Sequence, residues 1–285
     1  MDQVKYLYDT MGLPSGKTFQ IRRNAEPPGR RTELHYHDHY ELMFCLTGQL
    51  PYRVEGRSYL LQPGTALLIR PSQLHQAVTS KASVERIALR FQAGLPERLG
   101  EGGLDSMGEQ ASRHDDLFLL DEETQKRIYG VLRDLLREEA EEEPGRAQVE
   151  EALLTQLFFY LYRASRQERG KTRLPEERQL QQVIEYMEGH LEEPISLEEL
   201  AGRFYMDRYR LSRCFTRQVG CPPHRYLMYK RLQRAVLLME EGRPVSQVPA
   251  LCGFADYSNF YRRFREYFGV GPREWKKRKQ GTDTD

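Results

Sequence analysis

The feature that most constrains the fold of this chain is a pair of similar helical patterns in its C-terminal part. In the first pattern, Ser196 and Glu199 form an S-x-x-E capping box, which predicts a short helix over Leu197–Phe204. After a turn, Asp207 can cap a second helix over Arg208–Val219, because its carboxylate can accept from the unpaired N–H groups of the first helical turn. A short helix, a tight turn and an amphipathic helix predict a helix-turn-helix unit.

The same order of elements recurs towards the C-terminus. A long helix is predicted over Pro222–Glu240, which is 19 residues and roughly 28 Å at a rise of about 1.5 Å per residue. A short helix is predicted after Ser246, with Pro249 at the third position, where the missing N–H needs no intrahelical partner. Gly253 makes a turn, and a last helix is predicted over Tyr257–Phe268. The chain therefore predicts a second helix-turn-helix unit joined to the first by a rigid helix.

The second helix of each unit has one apolar and one polar face. Helical spacing predicts the buried faces, which consist of Leu211, Cys214, Phe215 and Val219 in the first unit and of Phe260, Phe264 and Phe268 in the second. The opposite faces consist of Tyr209, Ser212, Arg213 and Thr216 and of Ser258, Tyr261, Arg262 and Arg265. A polar face that carries arginine suits the major groove of DNA.

The segments PISLEELAGRFYMDRYRLSRCFTRQVG and GFADYSNFYRRFREYFGVGPREWKK resemble the two halves of the DNA-binding domain of the AraC/XylS family of bacterial transcription regulators. The resemblance covers Leu180–Lys279 and includes the closing pattern G-x-x-P-x-x-[WY] at Gly269, Pro272 and Trp275. It implies that the residues facing the DNA groove are Tyr209, Ser212 and Arg213 in the first unit and Tyr257, Ser258, Tyr261 and Arg262 in the second.

The charge of the chain is unevenly distributed, although the formal net charge is only +1. Residues 97–151 contain 17 acidic and 7 basic side chains, whereas residues 203–279 contain 18 basic and 6 acidic ones. This asymmetry favours a polyanionic partner for the C-terminal part, and a solvated basic surface is the alternative. We expect Arg213 and Arg262 to contact guanine, with a phosphate contact as the alternative for each. The side chains expected to contact phosphates or solvent are Arg208, Arg210, Lys230 and Lys276–Lys279.

Residues from about Thr18 to Phe91 are predicted to be rich in β-strands. Short apolar runs, namely LMFCL, YRVEG, YLL, ALLI and RIALRF, are separated by Gly, Pro, Asn or Ser. Several short strands at such spacing predict a sandwich or a barrel. The stretch Gly94–Gly108, rich in Gly and Glu, is predicted to be a loop.

The stretch HYHDHYELMFCLTG contains three histidines and one glutamate within seven residues. The spacing His35-x-His37-x-x-x-Glu41 resembles the first motif of the cupin barrel. On a strand, His35 and His37 would point to the same face, and Glu41 could arrive from the next strand. His75, in PSQLH, could complete a site with open positions for a ligand. His39 would lie on the opposite strand face and be exposed.

Three interpretations of His35, His37, Glu41 and His75 remain open: an effector pocket, a divalent metal site, or hydrogen-bonded core residues. The second cupin motif is incomplete, because the segment PSQLH is one residue shorter than P-x-G-x-x-H and lacks its Gly. Sensor domains of the AraC/XylS family often have this shorter form, so the resemblance implies a pocket for a small effector. No cofactor is predicted with certainty, and a divalent metal is the alternative.

A helical hairpin is predicted between the two parts. Its two apolar stripes, separated by a turn at EEEPG, are Ile128, Val131, Leu132, Leu135 and Leu136, and then Val149, Leu153, Gln156, Leu157, Tyr160 and Leu161. One stripe could cover the β-rich part and the other a second subunit, so we expect a homodimer; two internal stripes are the alternative. A charged linker, Arg166–Glu176, predicts a boundary between a sensing domain (1–100) with its helical region (101–175) and a DNA-binding domain (176–285).

The predicted fold class is α+β and multidomain, with an N-terminal cupin-like β-barrel, a helical hairpin and a C-terminal all-α domain with two helix-turn-helix units. No apolar run of about 18 residues occurs, so we expect no membrane span. The first residues lack the apolar core of a signal peptide. The cysteines, which are scattered, are expected to be buried thiols in a reducing cytosol: Cys45, Cys214, Cys221 and Cys252.

No G-x-S-x-G, Walker or G-x-G-x-x-G pattern occurs, so we do not expect an enzyme. We expect a cytoplasmic, homodimeric transcription regulator that binds double-stranded promoter DNA and responds to a small-molecule effector. The resemblance favours activation, with RNA polymerase as a partner, and a sugar-like effector. The alternatives are a metal-dependent cupin enzyme fused to a DNA-binding domain and an architectural DNA-binding protein with a degenerate barrel.

Overall fold

The structure is a computed structural model that describes residues 13, 17–29, 32–78, 80–92, 117–141, 143–166 and 175–281. None of the helices in these ranges is long and apolar enough to cross a lipid bilayer. Contacts divide the chain into an N-terminal unit, with the β-strands and the first two helices, and a C-terminal unit, with the later helices and Glu55–Arg57. The predicted loop Gly94–Gly108 and most of the linker Arg166–Glu176 lie outside the described residues, and the domain limits drawn from the sequence stay predictions.

The N-terminal unit is rich in β-strands, as predicted. The strands are β1 (Phe19–Glu26), β2 (Tyr40–Thr47), β3 (Leu50–Val54), β4 (Arg57–Leu61), β5 (Thr65–Ile69), β6 (His75–Ala77), β7 (Val84–Phe91) and β8 (Leu117–Leu119). The five apolar runs of the sequence correspond to β2, β3, β4, β5 and β7. Strand β6 has only three residues, too few for a periodic pattern to reveal it.

The strands form a five-stranded sheet in the order β1-β7-β2-β5-β8 and a three-stranded sheet in the order β4-β3-β6. Strand β2 is the central strand of the larger sheet and pairs antiparallel with both β5 and β7. Because side chains alternate along a strand, Leu42 and Phe44 point to one face and Met43 and Cys45 to the other. All four are buried, so β2 is covered on both faces.

Each face of the larger sheet belongs to its own hydrophobic core. One core includes Met43, Ile69 and Val84 of the larger sheet and Tyr52 of the smaller one, so it fills the space between the two sheets. The other face is covered by the predicted helical hairpin, which is formed by α1 (Glu122–Ala140) and α2 (Arg146–Ser165). The members of this second core include Leu42, Phe44, Leu89, Leu132 and Phe158.

The predicted stripe of α2 is only partly correct. The structure buries Leu154, Leu157, Phe158, Leu161 and Ala164, whereas Val149 is 43% exposed. Helix α2 carries apolar residues around most of its circumference, so periodicity alone does not identify the side that meets the sheet. The residues Val149, Leu153, Gln156 and Tyr160, which lie exposed or half-buried, form a second stripe that we call the outer stripe of α2.

The C-terminal unit is helical, as predicted. Its helices in the described residues are α3 (Pro175–Gly189), α4 (Leu197–Arg203), α5 (Arg208–Val219), α6 (Pro223–Glu240), α7 (Val248–Leu251), α8 (Tyr257–Phe268) and α9 (Pro272–Gly281). The bounds of α5 and α8 coincide with those predicted from the sequence. Both helices end at a glycine with a positive φ, 95° at Gly220 and 74° at Gly269.

Aspartate side chains start both of these helices. The Oδ1 atom of Asp207 accepts hydrogen bonds from the backbone N–H of Tyr209 at 3.0 Å and of Arg210 at 2.9 Å. In the second unit, Oδ1 of Asp256 accepts from the N–H of Asn259 at 2.7 Å. These carboxylates satisfy N–H groups that no preceding turn can satisfy, which is why the two helices begin where they do.

Three local predictions for the C-terminal unit need correction. Helix α7 is capped at Gln247, so Pro249 occupies its second position instead of its third, still within the first turn. Cys214 is half-buried, whereas the other three cysteines are buried. On α8 the buried residues are Phe260, Phe264 and Tyr267, and Phe268 is half-buried, because a spacing of seven matches two helical turns better than a spacing of eight.

We predict that Asp207→Ala destabilises the C-terminal unit by about 1 kcal/mol, because it removes the acceptor for two backbone N–H groups. The only tryptophan of the chain, Trp275, lies in α9, so tryptophan fluorescence during urea unfolding reports on this unit. Asp207→Asn is the matched control and should retain most of the stability, because Asn caps about as well as Asp. Equal losses in the two variants would contradict the capping role.

Candidate functional site

The exposed side of α5 contains the four residues predicted to face DNA from the first unit. Tyr209 is 63% exposed. Arg213 and Thr216 are also exposed, and Ser212 is half-buried. The Arg208 guanidinium lies 4.6 Å from the centroid of the Tyr209 ring, which positions this ring near the capped end of the helix. Helix α5 therefore presents a hydroxyl-rich and basic surface opposite its buried face.

Helix α8 presents a similar surface. Tyr257 is 39% and Tyr261 40% exposed, and Ser258, Arg262 and Arg265 are exposed as well. The Tyr261 ring packs tightly against Gly271, where an added Cβ would lie 2.8 Å from a ring carbon. The start of α9 thus holds Tyr261 in place on the exposed side of α8.

Tyr205 is a surface residue that the sequence patterns did not identify. It lies in the turn between α4 and α5, is 96% exposed and has a φ of 52°, in the left-handed region that few non-glycine residues adopt. An aromatic ring in this place is available to the same partner as α5. The signal in the sequence was the aromatic pair Phe204–Tyr205. The Phe204 ring lies against that of Tyr186, with centroids 5.9 Å apart, whereas the Tyr205 ring is exposed.

Lys230 was expected to contact phosphates or solvent, and this expectation is wrong. Its side chain is only 13% exposed, and its Nζ atom lies 2.8 Å from the Oε1 atom of Glu188. The Tyr226 hydroxyl donates to the same carboxylate at 2.7 Å. The Lys230 ammonium group is therefore paired with Glu188 and does not extend freely into solvent.

A second candidate site lies in the N-terminal unit, where a polar cluster is enclosed in the core. His37, Glu41 and His75 are 0%, 3% and 1% exposed. Oε2 of Glu41 lies 3.6 Å from Nε2 of His37 and 3.8 Å from Nε2 of His75. Each of the three residues has a ligand atom within 4.8 Å of those of the others. Glu41 belongs to the larger sheet and His75 to the smaller one, so the packing of the two sheets brings them together.

The hydrogen bonds of the two imidazoles determine which ring nitrogen faces the cluster. Nδ1 of His37 lies 2.8 Å from the carbonyl oxygen of His39, and Nδ1 of His75 lies 2.9 Å from that of Gln73. Because a carbonyl oxygen only accepts, each Nδ1 must carry the proton and donate it. The Nε2 atoms are buried and have no hydrogen-bond partner among the described atoms. In the neutral rings, both Nε2 lone pairs therefore point towards Glu41.

Electrostatics keep Glu41 ionised inside the core. Burial by itself would raise the pKa of Glu41, but the neighbouring His37 imidazole and the charge of the Arg90 guanidinium outweigh this effect and hold the pKa of Glu41 well below its usual range. Arg90 stands opposite Glu41 in the β2–β7 register and donates from Nε to Oε1 at 3.0 Å. Burial and repulsion from His35 and His37 hold the pKa of His75 well below its usual range, so this imidazole is neutral.

Two histidines differ from the sequence predictions. His39 was expected to be exposed, but it is only 2% exposed, and its ring stacks on that of His37 with centroids 3.9 Å apart. Because side chains two positions apart share a strand face, His39 belongs on the face of His37, and its assignment to the opposite face was wrong. His35 forms an isolated bridge with His75, and their ring centroids are 4.1 Å apart, but His35 is half-buried and lies at the edge of the cluster.

The sequence interpretation missed the charged residues of β7 that face the same interior. Besides Arg90, Arg86 is buried and its guanidinium lies 2.5 Å from Oε1 of Glu26, which is also buried. The signal was present in VERIALRF, where Val84, Arg86, Ala88 and Arg90 alternate with Ile87, Leu89 and Phe91. The interior of the N-terminal unit is therefore lined by two arginine–glutamate pairs beside the histidines.

Comparisons with known proteins cover both candidate sites. A family model described as "AraC-like ligand binding domain" matches residues 20–158, and one described as "Helix-turn-helix domain" matches residues 200–278. The transcriptional regulator GbdR of Pseudomonas aeruginosa is 36% identical over 41% of this chain, which spans only 34% of GbdR. The probable transcriptional regulator LumQ of Photobacterium leiognathi is 27% identical, with 85% of this chain and 91% of LumQ covered. The transcriptional activator RhaS of Escherichia fergusonii is 27% identical, with 87% of this chain and 88% of RhaS covered.

We predict that Arg86→Met destabilises the N-terminal unit by about 3–5 kcal/mol, because it leaves the Glu26 carboxylate buried without its partner. The double variant Glu26→Leu with Arg86→Met removes both charges and should recover most of this loss. The free energies of unfolding of the wild type, both single variants and the double variant complete a thermodynamic cycle. Strictly additive losses would show that the two side chains do not interact.

Proposed function

Because the chain belongs to the AraC family of transcription regulators, we propose that it binds promoter DNA sequence-specifically under the control of a small-molecule effector. The observation that carries the proposal is the pair of capped helices α5 and α8, whose exposed faces carry Arg213 and Arg262. Two such helices on a rigid scaffold suit successive turns of the major groove, which are about 34 Å apart.

Within each exposed face, the side chains have different proposed roles. Arg213 and Arg262 are the candidates for bidentate contacts with guanine, since the guanidinium fork matches its two major-groove acceptors. The exposed tyrosine rings of Tyr209 and Tyr261 suit thymine methyl groups or the sugar–phosphate backbone. The residues proposed to complete the DNA interface are Ser212, Thr216, Tyr257, Ser258 and Arg265.

The effector is proposed to bind beside the buried cluster of the N-terminal unit, at His35, His37, Glu41 and His75. Imidazole, carboxylate and guanidinium groups can together donate to and accept from hydroxyl and carboxylate oxygens. This chemistry supports an oxygen-rich metabolite such as a sugar. The effector would control DNA binding by binding one of two conformations of the protein more tightly than the other.

We further propose activation, with RNA polymerase as the partner at the promoter, because the relative RhaS is named as an activator. The proposed place of action is the cytoplasm, where bacterial promoter DNA lies. Control of transcription by an effector needs no turnover of a substrate, so we propose that the chain is not an enzyme. A metal-dependent enzyme fused to a DNA-binding domain is the competing function, and it would require a substrate consumed at the histidine cluster.

A homodimer is proposed to form through the outer stripe of α2. Val149 and Gln156 are the exposed members of this stripe, whereas Leu153 and Tyr160 are half-buried and also pack against the core. Tyr129 of α1 is 36% exposed and adds a further aromatic ring to the surface of the hairpin. Two copies of the apolar hairpin surface could bury each other, as in a symmetric two-helix interface.

The test of the DNA proposal is to select binding sites from randomised duplex DNA with the wild type and with Arg213→Ala and Arg262→Ala. Each variant should lose base preference at one position of the site, with a cost of about 1–3 kcal/mol for the preferred base. Arg234→Ala is the matched control, because it removes the same charge from α6, where Arg234 pairs with Glu192 at 3.0 Å. The proposal would be contradicted by variants that bind all sequences equally more weakly and whose affinity depends less steeply on salt, by the amount of about one phosphate contact. Such a result would show that the two arginines do not read bases.

For the dimer, we predict that Val149→Glu shifts the protein from dimer to monomer, because it places a charge on the most exposed apolar residue of the outer stripe of α2. The core of the N-terminal unit should be unaffected, since Val149 is 43% exposed. Ala147→Glu adds the same charge on the other side of α2 and should remain dimeric. Sedimentation equilibrium measures the oligomeric state of the wild type and of both variants. A wild type that is monomeric at all concentrations would refute the proposed dimer.

A further inference from the structure

The buried cluster of the N-terminal unit contains two imidazole nitrogens without a hydrogen-bond partner among the described residues. Nε2 of His37, Nε2 of His75 and Oε2 of Glu41 point towards one another, and each ring has already donated its Nδ1 proton to a carbonyl oxygen. Two unpartnered Nε2 atoms beside a buried carboxylate oxygen are unfavourable in a dry interior unless another group lies between them and satisfies all three. Arg90 does not fill this role, because it donates to the other carboxylate oxygen, Oε1.

The arrangement of the imidazoles is the one that metal-ligating histidines adopt. Such histidines almost always donate the second ring nitrogen to a carbonyl or carboxylate, which orients the ring and makes the other nitrogen more basic. Here the carbonyl groups of His39 and Gln73 take this role for His37 and His75. Arg90 orients the Glu41 carboxylate in the same way. Histidines that serve only as hydrogen-bonded core residues do not require two oriented imidazoles and an oriented carboxylate in one place.

From this geometry, we propose that His37, Glu41 and His75 form a binding site for one divalent transition-metal ion. Two imidazole nitrogens and one carboxylate oxygen suit Zn²⁺, Fe²⁺ or another ion of that class, whereas Mg²⁺ and Ca²⁺ prefer oxygen ligands. With metal–ligand bonds of about 2.1 Å, neighbouring ligand atoms lie about 3.0–3.4 Å apart. The observed separations are 3.6 and 3.8 Å from Oε2 of Glu41, and all ligand atoms lie within 4.8 Å of one another, so side-chain movements on the order of 1 Å reach that range.

Three protein ligands leave other coordination positions of the metal ion open. The charges around the cluster indicate which kind of further ligand suits these positions. The single negative charge of Glu41 is shared with Arg90, so the protein does not balance the charge of a divalent ion. An anionic oxygen donor, such as hydroxide or the carboxylate of a small metabolite, suits the open positions. This part of the inference rests on the proposed effector function and narrows the effector to oxygen chelators, whereas metal binding itself does not depend on DNA recognition.

The experiment is a Co²⁺ titration of the full chain after treatment with a chelator, followed by visible absorption and thermal unfolding. We expect one equivalent of Co²⁺ to produce d–d absorption bands and to raise the melting temperature, as a ligand bound only to the folded state does. Zn²⁺ should displace Co²⁺ and remove the bands, and Mg²⁺ should have no effect. The absence of bands and of a thermal shift in the wild type would overturn the proposal and leave the DNA-binding proposal standing.

Substitutions identify the ligands. His37→Gln, Glu41→Gln and His75→Gln should each weaken Co²⁺ binding by at least about 100-fold, since loss of even an outer partner costs about 10–100-fold. His190→Gln is the matched control: Nδ1 of His190 also donates to a carbonyl, that of Tyr186 at 2.8 Å, but His190 is outside the cluster. Binding retained in all three cluster variants would refute the assignment. Circular dichroism verifies folding of each, and the wild-type titration is decisive even if one variant does not fold.

Discussion

Burial of β2 on both faces is the constraint on which the N-terminal unit depends. Leu42 and Phe44 pack under the helices, whereas Met43 and Cys45 pack between the sheets. The same alternation sends Glu41 into the interior, where an ionised carboxylate is tolerated only with compensating partners. Arg90 on β7 and the neighbouring imidazoles supply that compensation. A polar cluster inside a hydrophobic core is thus a direct consequence of one strand's position in the sheet, and burying its charges has an energetic cost.

The C-terminal unit follows a different rule, because the residues proposed to contact DNA lie outside the core. Asp207 and Asp256 start two helices whose inner faces are held by aromatic and aliphatic side chains. The outer faces are consequently free to carry tyrosine, serine and arginine without affecting packing. Matches to an AraC-like ligand binding domain and to a helix-turn-helix domain confirm the family resemblance that the C-terminal motifs indicated. A buried polar site in one unit and an exposed basic face in the other are what a regulator that responds to a small molecule requires.

Much of the C-terminal unit could be predicted because its determinants are local. Caps and glycines act over three or four residues, so the bounds of α5 and α8 matched the sequence prediction. The N-terminal site was harder. His39 was assigned to the wrong face, although a side-chain period of two puts it on the face of His37. The arginines of β7 were overlooked, although their spacing revealed their face. The stripe of α2 was only half correct, because an extensively apolar helix contains no local signal for the side that meets a sheet.

By itself, the sequence determined the order of the elements, the two helix-turn-helix units and the residue types gathered at the histidine motif. These depend on hydrogen bonds and side-chain periods that short segments already contain. Only the tertiary structure decided that His37, Glu41 and His75 converge and that His35 stays at the edge. The cluster joins residues of two different sheets, and the direction of each Nε2 atom depends on which backbone carbonyl its ring can reach. Contacts between sheets arise from packing of the whole unit, which no local pattern encodes.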